Sequence, residues 1–117
     1  MGTLNISASI NDTTNGVNQS ANKTVTTTGE GIDQRVLSVG TTEEEITIAS
    51  GIGDCGYAMV KNMDATNFVE VGFATGIYPI KLLASQFALL PLAAATASLF
   101  LKADTAACNV LVYFHEA

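Results

Sequence analysis

The sequence predicts an all-β domain, an antiparallel β-sandwich of jelly-roll type preceded by an extended polar N-terminal segment. From residue 57 onward, short apolar runs recur at roughly ten-residue spacing between turn residues, which is the rhythm of a sandwich or barrel. Within the runs the apolar residues keep the period of two that puts alternate side chains on one face of a strand. Their distribution along the chain is uneven. Residues 1–50 hold 15 apolar residues and residues 51–117 hold 41, and all eight aromatics fall between Tyr57 and Phe114. The core is therefore expected mainly from residues 57–114, with the N-terminal part covering it or reaching outward.

Taken in chain order, residues 4–10 alternate, with Leu4, Ile6, Ala8 and Ile10 on one face and Asn5, Ser7 and Ser9 on the other. This is a half-buried strand or an arm lying on a neighbour. Residues 11–22 carry turn and loop residues throughout and are expected to be mobile unless a partner pins them. The division expected is an arm or edge strand over 1–22 and the sandwich over 23–117. Thr24–Thr28 and Arg35–Val39 read as short strands separated by the turn Gly29-Glu-Gly31. A further strand, Ile46–Ala49, follows the acidic run Glu43-Glu-Glu45. Tyr57–Asn62 and Asn67–Phe73 read as a hairpin around Met63-Asp-Ala-Thr66, followed by Tyr78–Leu83, Phe87–Leu92, Ser98–Ala103 and Asn109–Phe114. Leu92–Ala97 has helix propensity, but Pro91 precedes it and an extended run follows, so it reads as a loop or a single turn. In the last strand Val110, Val112 and Phe114 form one apolar face while Leu111 and Tyr113 form another. An antiparallel sheet normally leaves one face polar, so this strand is expected to be central and covered on both sides, by the second sheet and by another subunit.

Composition points the same way. Hydrophobic residues make up 48% and charged residues 14%, against about 25% charged in an average soluble domain. So much apolar surface implies cover by neighbours, and a homo-oligomer or a particle-bound subunit is expected. The net charge is −6, and Lys23, Arg35, Lys61, Lys81 and Lys102 are spread singly. Nucleic-acid binding draws its affinity from clustered cations on phosphates, so no nucleic-acid partner is expected. No membrane association is expected either. The most apolar stretch, Phe87–Leu101, is 15 residues long and contains Pro91, short of the ~20 a spanning helix needs. A buried pair of strands is its expected structure. The opening residues carry neither a basic region nor an apolar run, so no secretory leader is expected.

Chemistry-bearing residues do not assemble into a recognisable pattern. His115 is the single histidine, and no serine motif accompanies it. Glu43-Glu-Glu45 is contiguous, so its side chains diverge along a strand and read as a solvated charge run. Asp54, Asp64, Glu70 and Asp104 lie far apart, with Asp64 and Asp104 in turns where Asp serves the backbone. The glycines of Gly51–Gly56 lack the dinucleotide spacing and precede a strand, where a phosphate cradle needs a helix. Cys55 and Cys108 fit neither a zinc signature nor a redox pair, and are expected as two reduced, buried hydrophobes. Sequons at Asn5, Asn11, Asn18 and Asn22 read as by-products of an Asn/Ser/Thr-rich stretch. No catalytic residue, cofactor or metal is expected, and the chain is not expected to be an enzyme.

One stretch resembles a known group. Tyr57-Ala-Met-Val-Lys-Asn-Met-Asp-Ala-Thr-Asn-Phe-Val-Glu-Val-Gly72 is similar to a hairpin common in small β-sandwich virion proteins of tailed bacteriophages. Pro79–Leu82, Phe87–Leu90, Leu99–Ala107 and Val110–Phe114 continue the likeness, which covers residues 57–117. Where such proteins often carry Gly-Glu before the Phe strand, this chain has Ser85-Gln86. The resemblance implies a structural virion protein, in the first place a capsid decoration or cement protein on the outer head surface. Its partners would be the major capsid protein or other virion subunits, its location the virion, assembled in the host cytoplasm. A head-to-tail connector or tail component is the alternative, and a carbohydrate- or receptor-binding β-sandwich a further one. Leu4, Ile6 and Ile10 are the candidate partner-binding residues.

Overall fold

Residues 2–29, 31–93 and 96–117 are described by the computed structural model, and the regular elements among them are ten strands and one 3-10 turn, Ser50–Ile52. The strands are β1 (Gly2–Asp12), β2 (Val17–Thr27), β3 (Ile32–Val39), β4 (Glu44–Thr47), β5 (Cys55–Asn62), β6 (Val69–Gly72), β7 (Ile80–Leu82), β8 (Phe87–Pro91), β9 (Ser98–Ala103) and β10 (Cys108–Glu116). β1 and β2 pair as a separate antiparallel hairpin. The other eight form two four-stranded sheets, ordered β3-β10-β5-β8 and β4-β9-β6-β7. The chain crosses from one sheet to the other at almost every connection, which is the double Greek key of a jelly roll. The all-β sandwich is thus the fold.

Between the sheets lies an aliphatic core. Val39, Val60, Val110, Val112 and Phe114 project from the first sheet, and Val69, Val71, Leu99 and Leu101 from the second, all with no exposed surface. β10 is central in its sheet, flanked by β3 and β5. At the β3–β4 edge Arg35 and Asp33 close the sandwich. The Arg35 guanidinium pairs with Asp33 at 3.0 Å and donates to the Thr47 carbonyl of β4.

Two sequence expectations are corrected by this topology. Tyr57–Asn62 and Asn67–Phe73 are not a hairpin: β5 belongs to the first sheet, while β6 belongs to the second and pairs with β7 and β9. The segment between them is a sheet-to-sheet crossing. Residues 11–22 are not a loop, for they complete β1 and supply most of β2, with only residues 13–16 in the turn. Strand β2 pairs with β1, and the hairpin runs on to Thr27, beyond the boundary expected at residue 22. Phe87–Leu101 forms two strands, but β8 and β9 lie in different sheets, and β8 is a half-exposed edge. Glu30, in the expected turn, and residues 94 and 95 of the expected Leu92–Ala97 loop lie outside the described residues.

The crossing from β5 to β6 is organised by Asn62, which is fully buried. Its Nδ2 donates to the carbonyls of Asn67 (2.8 Å), Leu82 (3.0 Å) and Leu83 (3.3 Å), and its Oδ1 accepts from the Asp64 N–H. Its own backbone N–H donates to Gln86. The Asp64 carboxylate accepts from the N–H groups of Asn67 and Thr66, which hold it below the ordinary Asp value. Downstream, Ser85 takes φ 65°, a left-handed geometry that suits glycine better than serine. Gly72 is required on packing grounds, because a Cβ there would collide with the Ile77 backbone carbonyl. At the opposite end the chain terminus knits hairpin to sandwich. Glu116 accepts from the Gly31 N–H at 2.8 Å, and the Ala117 carbonyl accepts from Gly29 N–H and Thr28 Oγ1.

Cys55 stands opposite Glu116 at one end of β10, and Cys108 opens that strand at the other end. At about 3.3 Å per residue they are on the order of 25 Å apart, far beyond disulfide reach. Both are buried and free. Burial pushes both thiols above their ordinary value, and the Asp64 and Asp104 carboxylates push Cys108 further. Thiol titration is therefore expected to find no fast-reacting thiol in the native protein and two after denaturation.

Replacing Asn62 by Leu removes donors from buried carbonyls. At about 1–3 kcal/mol for each buried polar group left unsatisfied, the loss of stability should be about 3 kcal/mol or more. Lys61→Ala, one residue away on an exposed side chain, should stay within about 0.5 kcal/mol. Urea denaturation of both variants measures the difference.

Candidate functional site

The two outer faces of the sandwich differ in chemistry. On the second sheet, burial of Ile46, Val69, Val71, Leu82, Leu99 and Leu101 turns Glu45, Glu70, Lys81 and Lys102 outward. The register sets Glu70 opposite both Lys81 and Lys102, so opposite charges are neighbours across the strands. Lys81 also lies over the Phe68 ring, 4.1 Å from its centroid. Phe100, half-buried between Glu45 and Gly72, is the aromatic among these outward positions.

The first sheet presents three rows across its strands in the order β3, β10, β5, β8. They read Ile32–His115–Tyr57–Pro91, Gln34–Tyr113–Met59–Leu89 and Val36–Leu111–Lys61–Phe87. None of these positions is a carboxylate, in a chain with 11 acidic residues. Leu111 and Tyr113, the second apolar face expected for the last strand, are half-buried here. Part of their cover comes from the chain's own hairpin.

The hairpin is two-faced because its sequence alternates in both strands. Leu4, Ile6, Ala8 and Ile10 stand opposite Val25, Lys23, Ala21 and Gln19 on one face. The other face is a ladder of Thr, Asn and Ser, with Thr24 Oγ1 donating to Asn5 Oδ1 at 2.9 Å. Asn5, Asn11, Asn18 and Asn22 all belong to that polar ladder, which accounts for the four sequons. The turn is closed by Asp12, whose carboxylate accepts from the Asn15 side chain and from the N–H groups of Asn15 and Thr14. These bonds, the Asn15 side chain first, hold its carboxyl below the ordinary range. Gly16 supplies the left-handed residue, φ 69°.

Root and tip of the hairpin sit in different surroundings. Burial alternates over residues 2–7, where Leu4 and Ile6 bound a cleft of about 320 Å³ with Tyr57, Met59, Leu89 and Tyr113. From Ala8 onward the alternation of apolar and polar residues continues while the alternation of burial stops. Phe87, on the edge strand β8, stands beside residues 7–9 and 20–22, and the tip reaches past it. Ile10 is 71% exposed and Phe87 66%. Of the sequence-derived candidates, Leu4 and Ile6 are therefore half-buried facing the chain's own sheet across the cleft, and Ile10 is exposed at the tip. Val17, Phe87, Ile32 and Val36 join the surface unannounced by the sequence reading. Val17 is a lone apolar residue in a polar run, and only its register opposite Asp12 puts it on the face of Ile10.

The remaining polar residues serve the fold. Glu43 accepts from the Tyr78 hydroxyl and from the Gly76 N–H, which lowers its pKa and raises that of Tyr78. Glu45 accepts from Ser98 Oγ. His115 Nδ1 lies 2.7 Å from the Glu116 carbonyl. Among the described residues, no three His, Cys, Asp or Glu side chains are grouped to share a metal ion. No protein-family model, curated protein or solved structure matches this chain.

The hairpin should divide into a stabilising root and a neutral tip. Half-buried aliphatic side chains contribute roughly half of the ~1.5–3 kcal/mol of full burial, so Leu4→Ser and Ile6→Ser should each cost about 1–2 kcal/mol. Ile10→Ser and Val17→Ser should stay within about 0.5 kcal/mol. Thermal melts of the four variants measure the split.

Proposed function

We propose that this chain is a non-enzymatic structural subunit of a tailed-phage virion, a decoration protein bound to the outer surface of the head. The observation that carries the reading is the contrast between the two faces of the sandwich. One carries charges of both signs side by side around a single aromatic, Phe100, and suits solvent. The other is apolar and free of carboxylates, and it bears a hairpin that reaches beyond the domain. A subunit that must lie on a particle needs this division. The resemblance of residues 57–117 to small virion proteins supports the same reading, as does an acidic chain that would be repelled from packaged DNA. The major capsid protein is the proposed partner, and two unbridged thiols suit assembly in a reducing cytoplasm.

Rebinding to purified heads that lack this chain tests the proposal. The protein should co-sediment with heads, and electron cryomicroscopy should place it outside the shell. Phe87→Asp should weaken binding at least about tenfold, on the scale of one interface anchor, with the melt unchanged. Failure to bind heads, or density on the tail, would overturn the head assignment.

A further inference from the structure

We infer that the hairpin tip of one copy seats on the uncovered strip of the first sheet in the next copy, so that copies associate head to tail. The inference deepens the reading of the chain as an assembly subunit by naming a partner for the same surface.

Both halves of the contact are present on every chain. The tip offers Ile10 and Val17, the latter 42% exposed, on one face with Ala8 and Ala21. The strip offers Ile32 at 58% and Val36 at 59% exposure, beside Leu111. The strip continues the sheet face on which the hairpin root already lies. Leu4 and Ile6, half-buried across a shared cleft from Tyr57, Met59 and Tyr113, are the intramolecular counterpart: the hairpin's apolar face turned toward this sheet's outer face.

The chain cannot make the second contact with itself. The hairpin leaves the sheet over β8, and Ile32 and Val36 are on β3, the opposite edge. A neighbour placed beyond β8 with its own β3 edge inward would receive the tip. Charge favours a second copy at this face in particular. Two chains of net charge −6 repel wherever their carboxylates approach, and the receiving rows carry none. The tip's one carboxylate, Asp12, would approach a face whose lysine is Lys61. A contact between two different patches repeats from copy to copy and either closes a ring or extends a chain.

Sedimentation of the full-length protein at micromolar concentration, without heads, tests the contact. Wild type should associate beyond a dimer. Ile10→Asp, with a broken tip, and Val36→Asp, with a broken strip, should each be monomeric with unchanged melts. An equal mixture of the two should form a dimer and nothing larger, because one intact tip meets one intact strip. If Val36→Asp melts early, Ile32→Asp breaks the same strip in its place. A monomeric wild type, a variant that associates normally, or a mixture that stays monomeric would overturn the proposal, and association kept by Val36→Asp but lost by Ile10→Asp would do so in favour of a tip-to-tip contact. Binding to heads as a monomer would sink this inference alone, and association without head binding would sink only the virion reading.

Discussion

The buried amide of Asn62 is the constraint on which the rest of the sandwich depends. It ends β5 in the first sheet and donates to backbone carbonyls at Asn67, Leu82 and Leu83, just before β6 and at the end of β7 in the second. A side chain with a donor pair and an acceptor at one end is needed, because Asn67 and Leu83 lie outside the strands and Leu82 ends β7. Once it is satisfied, the crossing is fixed, and with it the interleaving of strands that makes a jelly roll rather than a meander. Asp64 and Asn67 serve the same crossing from outside, which is why the Asn–Met–Asp–Ala–Thr–Asn stretch is polar between two apolar strands.

The second organising fact is that the hairpin acts as a partial third layer. The outer face of the first sheet is apolar, and the root of the hairpin shields its middle across a cleft that Leu4 and Ile6 share with Tyr57, Met59 and Tyr113. A lone two-stranded ribbon is marginally stable, so the root also needs the sheet. The knot of Gly29, Gly31, Glu116 and Ala117 ties the two together at the base. Gly29 is small for a reason: a Cβ there would occupy the position of the Glu116 carboxyl. Past Ser7 the hairpin has no such support, and its apolar face is open.

The strand pattern was legible from residue 46 onward. Ser98–Ala103 is β9 to the residue, and the last strand is central with two apolar faces, as Val110–Phe114 against Leu111 and Tyr113 implied. Local alternation suffices there because each strand buries a face whichever partner it takes. The N-terminal half was read less well. Residues 11–22 read as loop throughout, because polar residues on both sides of the turn hid β2, whose pairing rests on backbone bonds and a Thr/Asn/Ser ladder instead of apolar burial. Of the candidate surface, Ile10 was legible by its alternation, while Ile32, Val36 and Phe87 were indistinguishable in sequence from core residues.

By itself the sequence determined that the chain is all-β, that residues 57–114 build most of the core, and that residues 4–10 alternate. Periodicity, turn chemistry and the scarcity of charge are local quantities and can be read one segment at a time. Only the tertiary structure decided which strands pair, that Asn62 marks a crossing between sheets, and that Leu4 and Ile6 are covered while Ile10 is bare. Those outcomes turn on which faces meet across distances of tens of residues. A strand's alternation says that one side will be buried, and the partner that buries it is chosen by the whole fold.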